Sequence, residues 1–259
     1  MEEVSGDEYE GREGEQSPED PPNHAATLAT PVVEAVLFDW NNTLVQFTWD
    51  DELLAEGHSA GLRAIGRDEE PTAFSVRYRD RVIDRGRPDE AYETLLLELL
   101  GEATDDEIDA FIDAEHDAWA PAFQTLGAAQ ALLEALRSQG IKTGVVLNSW
   151  PDPGRVLRRD IERAGLTELL DTIVISSEVG MRKPEPGIFR LALEQLGVEP
   201  HDAMFVGDRL ETDVQGAANL GMTTVQALWF RADDTPAIEP DFMAFTPMDV
   251  LNTVRRLAR

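Results

Sequence analysis

The sequence predicts an α/β fold, a doubly wound parallel sheet, with an all-helical block inserted after the first strand. Three observations carry this prediction. Short β-branched apolar runs recur after residue 120, helix-length segments ending in glycine separate them, and residues 49–120 hold helix signals with no strand signal.

The elements follow in order. Residues 1–30 carry nine acids and one arginine among Gly, Pro and Ser, which reads as a disordered acidic tail and as the opposite of a signal or transit peptide. Residues 32–37 form an apolar run between Pro31 and Asp39, as expected of a strand buried on both faces. In the helical block, Asp50 is placed to cap a helix carrying Leu54 and Leu62, Thr72 one carrying Phe74 and Tyr78, and Asp89 the run AYETLLLELL. Thr104 with Glu107 makes a capping-box pattern ahead of Ile108 and Phe111. Beyond Pro121, the strands IKTGVVLN, DTIVISS, AMFVGD and TTVQALWF alternate with helices stopped at Gly140, Gly165, Gly197 and Gly221. Such alternation implies right-handed parallel crossovers. The expected division is a tail over 1–30, a core over 31–48 and 121–259, and the helical block over 49–120.

Composition narrows the chemistry. The formal net charge of −29, from 22 basic and 51 acidic residues, argues against nucleic acid or an anionic membrane as partner. No apolar run approaches the roughly 20 residues that span a bilayer, and with no export signal the expected location is cytoplasmic. There is no cysteine, and the four histidines lie far apart in sequence, so thiolate chemistry, histidine-built zinc sites and a Ser-His-Asp triad are disfavoured. A hard cation on carboxylates remains.

Ligands of doubly wound sheets bind at the carboxyl ends of the strands. The residues falling there are Asp39, then Asn148 and Ser149, then the segment leading to Lys183, then Asp208 with Asp213. Singly, each reads as a turn or cap residue. Together, carboxylates and a lysine at the mouth of one sheet suit Mg²⁺ and phosphoryl transfer, with Asp39 attacking, the cation offsetting carboxylate repulsion and Lys183 holding the anion. Lys183 is one of only two lysines in the chain.

Four blocks in this order, FDWNNTL, VVLNSW, GMRKPEPGIF and VGDRLETDVQGAANLGM, resemble the haloacid dehalogenase superfamily of hydrolases, over residues 32–230. The resemblance implies a Rossmann-like core with a helical cap, a Mg²⁺ cofactor, and phosphorylation of Asp39. It also implies phosphate contacts from Asn148, Ser149 and Lys183, and a metal site of Asp39, Asp208, Asp213 and the backbone carbonyl of Asn41.

Three departures from the family pattern bear on turnover. Asn41 stands where the phosphatases of the family have a second aspartate that protonates the leaving oxygen, a step an amide cannot perform. Leu147 stands where they have a hydroxyl, leaving Ser149 as its substitute, and Asn42 replaces a common glycine. The expected function is Mg²⁺-dependent hydrolysis of a small phosphorylated metabolite by a monomer or homodimer, slowed at the acid–base step. The alternatives are a phosphate-ligand-binding regulatory protein and a same-fold hydrolase cleaving a carbon–halogen or phosphorus–carbon bond. The arginines of the helical block, Arg63 to Arg87, are expected to pair with nearby acids at the surface.

Overall fold

The computed structural model describes residues 33–235 and 238–258, so the expected tail over 1–30 lies outside the described residues. In chain order, β1 (Ala35–Phe38) is followed by β2 (Val45–Phe47), α1 (Asp51–Ala64), α2 (Pro71–Tyr78), α3 (Tyr92–Leu100) and α4 (Asp105–Ala118). Then come β3 (Phe123–Thr125), α5 (Gly127–Ser138), β4 (Lys142–Leu147), α6 (Gly154–Arg163), β5 (Thr172–Ile175), α7 (Ser176–Val179) and α8 (Pro186–Leu196). The chain closes with β6 (Ala203–Gly207), α9 (Gln215–Ala218), β7 (Thr223–Ala227), β8 (Phe242–Ala244) and α10 (Pro247–Leu257).

Six strands form one parallel sheet in the order β5-β4-β1-β6-β7-β8. The α/β class and the doubly wound, Rossmann-like order are as the sequence predicts. β1 lies at the centre, its four side chains wholly buried, with Phe38 in register with Val145 of β4 and Val206 of β6. That register brings Asp39, the next residue, to the carboxyl edge between both neighbours, and its N–H donates to Val206 O at 2.9 Å.

The segment between β2 and β3 is helical. β2 and β3 themselves pair antiparallel, Val45 against Thr125, so the chain enters and leaves the helical segment side by side. Asp50 caps α1 through Glu52 N–H, and the Thr104–Glu107 capping box starts α4. Two caps differ from expectation. Glu70 caps α2 because Pro71 takes the first helical position, and α3 starts at Tyr92 behind Ala91, which has no side-chain cap. Phe74, Tyr92 and Phe111 pack in the same apolar cluster as Trp40 and Val145, so the helices and the sheet share a core.

Two glycine-type positions shape the site. A Cβ on Gly207 would lie 2.5 Å from the Asp213 side chain, so only glycine lets that carboxylate reach the end of β6. Asn42 takes a left-handed φ of 58°, and asparagine is the residue besides glycine that tolerates it. Its Oδ1 accepts from Phe47 N–H at 3.2 Å, closing the turn after Asp39.

Candidate active site

Asp39, Lys183, Asp208 and Asp213 converge at the ends of β1 and β6. Lys183 Nζ donates to Asp39 Oδ1 at 2.6 Å and lies 2.8 Å from Asp213 Oδ1. The ammonium is almost fully buried above the ring of Phe205, 5.3 Å from its centroid. Burial opposes its charge, but Asp213 and Asp39 outweigh that and hold its pKa above the ordinary lysine value. Asp213 also accepts from Arg209 N–H at 3.0 Å, which fixes its second oxygen.

One lysine does not balance three carboxylates. Asp39, Asp208 and Asp213 each offer an oxygen within 4.8 Å of the others. Asp208 is 1% exposed, and neither of its oxygens accepts a hydrogen bond. Its nearest cation, Arg231 Nε, stands 2.5 Å from Oδ2 without donor alignment. Desolvation, reinforced by Asp39 and Asp213, pushes the Asp208 carboxyl up to about 7. A buried, hydrogen-bond-free carboxylate among like charges is the donor set of a hard divalent cation, so the residues fit such an ion. Asp39 and Asp208 have oxygens free for it, whereas Asp213 is largely committed to Lys183 and Arg209.

The remaining predicted residues are placed differently. Asn148 Nδ2 donates to Lys183 O at 2.8 Å and its Oδ1 accepts from Lys183 N–H at 2.8 Å, so the amide clamps the lysine's own peptide. Ser149 Oγ lies 3.1 Å from Ser176 Oγ and accepts from Ser177 N–H at 3.0 Å. Both side chains hold the loop that carries Lys183 and Ser176 at the carboxyl edge of the sheet. Leu147 is buried in the core. Asn41 is exposed on the turn after Asp39, its backbone bridged to Val45. The arginines of the helical segment pair locally, among them Arg77 with Glu69, Arg79 with Asp51 and Arg81 with Glu90 and Glu98.

Arg231, in contact with Asp208, was not foreseeable from periodicity. Its only signal is a cation just past the fifth strand, in the position that strand ends share.

This acid–lysine cluster at the edge of a doubly wound sheet belongs to a hydrolase: the haloacid dehalogenase-like hydrolase family model matches residues 33–221, and the chain is a member of that family. Among curated relatives it is 31% identical over 243 residues to the glyceraldehyde 3-phosphate phosphatase of Methanopyrus kandleri, covering 88% of this chain and 100% of that protein. It is 30% identical over 212 residues to the ribulose-1,5-bisphosphate 5-phosphatase of Halopiger xanaduensis, covering 74% of this chain and 83% of the relative. Among solved structures, a phosphatase of the family from Thermococcus onnurineus superposes with a TM-score of 0.59 at 25% identity, over 85% of this chain and 97% of the other. No helix among the described residues is long and apolar enough to cross a membrane.

Proposed function

We propose that the protein is a Mg²⁺-dependent phosphatase that hydrolyses a small phosphorylated metabolite through an aspartyl-phosphate on Asp39. The observation that carries this reading is the shared ammonium: Lys183 Nζ at 2.6 Å from Asp39 and 2.8 Å from Asp213, beside the unsatisfied carboxylate of Asp208. The names of the phosphatase relatives point the same way.

The residues divide the work. Asp39 attacks phosphorus, forming the Asp39 O–P bond as the ester P–O bond breaks, and water then hydrolyses the acyl phosphate. Lys183 orients the attacking oxygen and offsets charge on the phosphoryl group, and Asn148 fixes Lys183 through its peptide. Asp39 and Asp208, with Asp213 and the Asn41 carbonyl in support, would hold the cation, which would supply Lewis-acid stabilisation of the phosphoryl oxygens. Asn41 donates no proton, so the departing oxygen draws its proton from water and good leaving groups are favoured. The helices over 49–120 act as a cap over this edge, and the enzyme works in the cytoplasm as a monomer or homodimer.

The test is hydrolysis of an aryl phosphate with and without Mg²⁺, in the native protein and in Asp39→Asn. Metal-dependent turnover that the substitution abolishes supports the reading. The second reading, a binding protein that has lost turnover, is favoured by the commitment of Asn148 and Ser149 to the loop. It predicts metal-dependent phosphate binding with no hydrolysis. Cleavage of a carbon–halogen or phosphorus–carbon bond is disfavoured by the intact acidic cluster, which suits a cation and a phosphate.

A further inference from the structure

Arg231 follows β7 on a loop tied down on both sides of the site. Trp229 Nε1 donates to Thr43 O at 3.0 Å, four residues past Asp39. Leu210 N–H donates to Asp233 Oδ2 at 2.9 Å, two residues past Asp208, and Gln226 Nε2 donates to Asp233 O at 2.8 Å. Arg231 is therefore held at the rim of the acidic cluster by its neighbours on the loop, independently of its own side chain.

Arg231 Nε rests 2.5 Å from Asp208 Oδ2, which accepts no aligned hydrogen bond, and the side chain is 40% exposed, leaving the outer edge of the guanidinium open to solvent. A guanidinium offers five donors in a planar fork suited to two oxygens of one anion. The charge balance agrees: with Lys183 and one divalent cation in place, Asp39, Asp208 and Asp213 would be neutralised, leaving the charge of Arg231 surplus to the cluster. Asp208 in turn offers an oxygen within 4.8 Å of one on Asp39, so the guanidinium of Arg231 stands one side chain away from the attacking carboxylate.

We propose that Arg231 is a specificity-determining residue that receives a second oxyanion on the substrate, so that preferred substrates are phosphate monoesters whose leaving alcohol carries a carboxylate or further phosphate. This rests on the phosphatase reading, and the test separates the two. Two non-hydrolysable phosphonates of equal length, 4-phosphonobutanoate and 4-hydroxybutylphosphonate, differ in the presence of a carboxylate. They are titrated calorimetrically into the Mg²⁺-loaded protein, and turnover plays no part. The native protein is expected to bind the carboxylate at least tenfold tighter, and Arg231→Gln to reduce that preference at least tenfold. Arg231→Lys, which keeps the charge and loses the fork, should fall between and carries the same comparison if the glutamine variant does not fold. Arg209→Gln, at an exposed neighbour, controls for loss of charge alone and should leave the preference in place. Equal binding of the two phosphonates, an unchanged preference in Arg231→Gln, an equal loss in Arg209→Gln, or binding of neither would overturn the proposal. Aryl phosphate hydrolysis decides the phosphatase reading on its own.

Discussion

In the proposed mechanism, Asn41 bears on the proton step and Asp208 on the cation. Asn41 is exposed beside Asp39 and carries no proton to give, and positioned acid–base catalysis is worth about 10²- to 10⁴-fold. Asn41→Asp should therefore raise kcat on an alkyl phosphate by about 10²-fold or more, with a smaller gain on an aryl phosphate whose leaving group needs little help. Steady-state rates on the two esters check this, and an unchanged or lower alkyl rate would assign Asn41 another role. Asp208, pushed up from 3.8 to about 7 by burial and by Asp39 and Asp213, sets a pH dependence. Between those values the metal-free native state holds a proton that the unfolded chain has shed, so this group's contribution to stability declines as pH rises toward 7. A cation needs the ionised form, and its apparent affinity should fall about tenfold per pH unit below about 7. Melting curves with and without Mg²⁺ from pH 5 to 8 are expected to show a metal-induced rise in Tm that grows up to about pH 7 and then levels.

Between elements, the helical segment and the sheet domain meet along a ladder of charges. Asp109, Asp113 and Asp117, each four residues on, line one face of α4, and Arg155, Arg159 and Arg163 line the facing side of α6. These pairs are largely exposed, and each is worth about 0.2–1 kcal/mol at most. His116 of α4 is different, buried between Asp160 at 2.7 Å and Asp152 at 3.3 Å. Burial opposes its charge, but the two carboxylates outweigh it and raise its pKa from 6.5 to about 10. A histidine raised in the fold contributes stability that is complete below pH 6.5 and is lost as pH climbs through about 10. His116→Gln should therefore cost about 3 kcal/mol at pH 7 by leaving two carboxylates without their cation, against under about 1 kcal/mol for Asp113→Asn. It should also flatten the alkaline decline in denaturant stability measured between pH 7 and 10. How legible such features were depended on the length of the signal. β1, β4, β5, β6 and β7 announce themselves by apolar runs, whereas β2, β3 and β8 are three residues each, too short for a period. Strand ends gave the places of Asp39, Lys183, Asp208 and Asp213. They could not give the directions of Asn148 and Ser149, which are set by the Lys183 peptide and by Ser176, 27 or more residues away.

Taken as a whole, the molecule is an anion whose proposed substrate is another anion. Its net charge of −29 opposes the approach of a phosphate ester, while Lys183, Arg231 and the cation that the acidic cluster suits would attract one at the site. The two fields differ in range. The molecular field acts from outside, over distances that salt screens, since the Debye length falls from about 10 Å at 0.1 M to about 3 Å at 1 M. The attraction acts at contact, from a lysine 2% exposed and 2.6 Å from its partner, where screening is weak. Salt should thus remove the repulsion and spare the attraction. With Mg²⁺ kept saturating, because cation binding itself weakens with salt, kcat/KM for a phosphate ester is expected to rise about two- to fivefold between 0.1 and 1 M KCl. Neutral osmolytes should not reproduce the gain. A fall in kcat/KM under the same conditions would mean that the local cations, Arg231 foremost, steer the substrate from a distance and that the acidic surface has little hold on encounter.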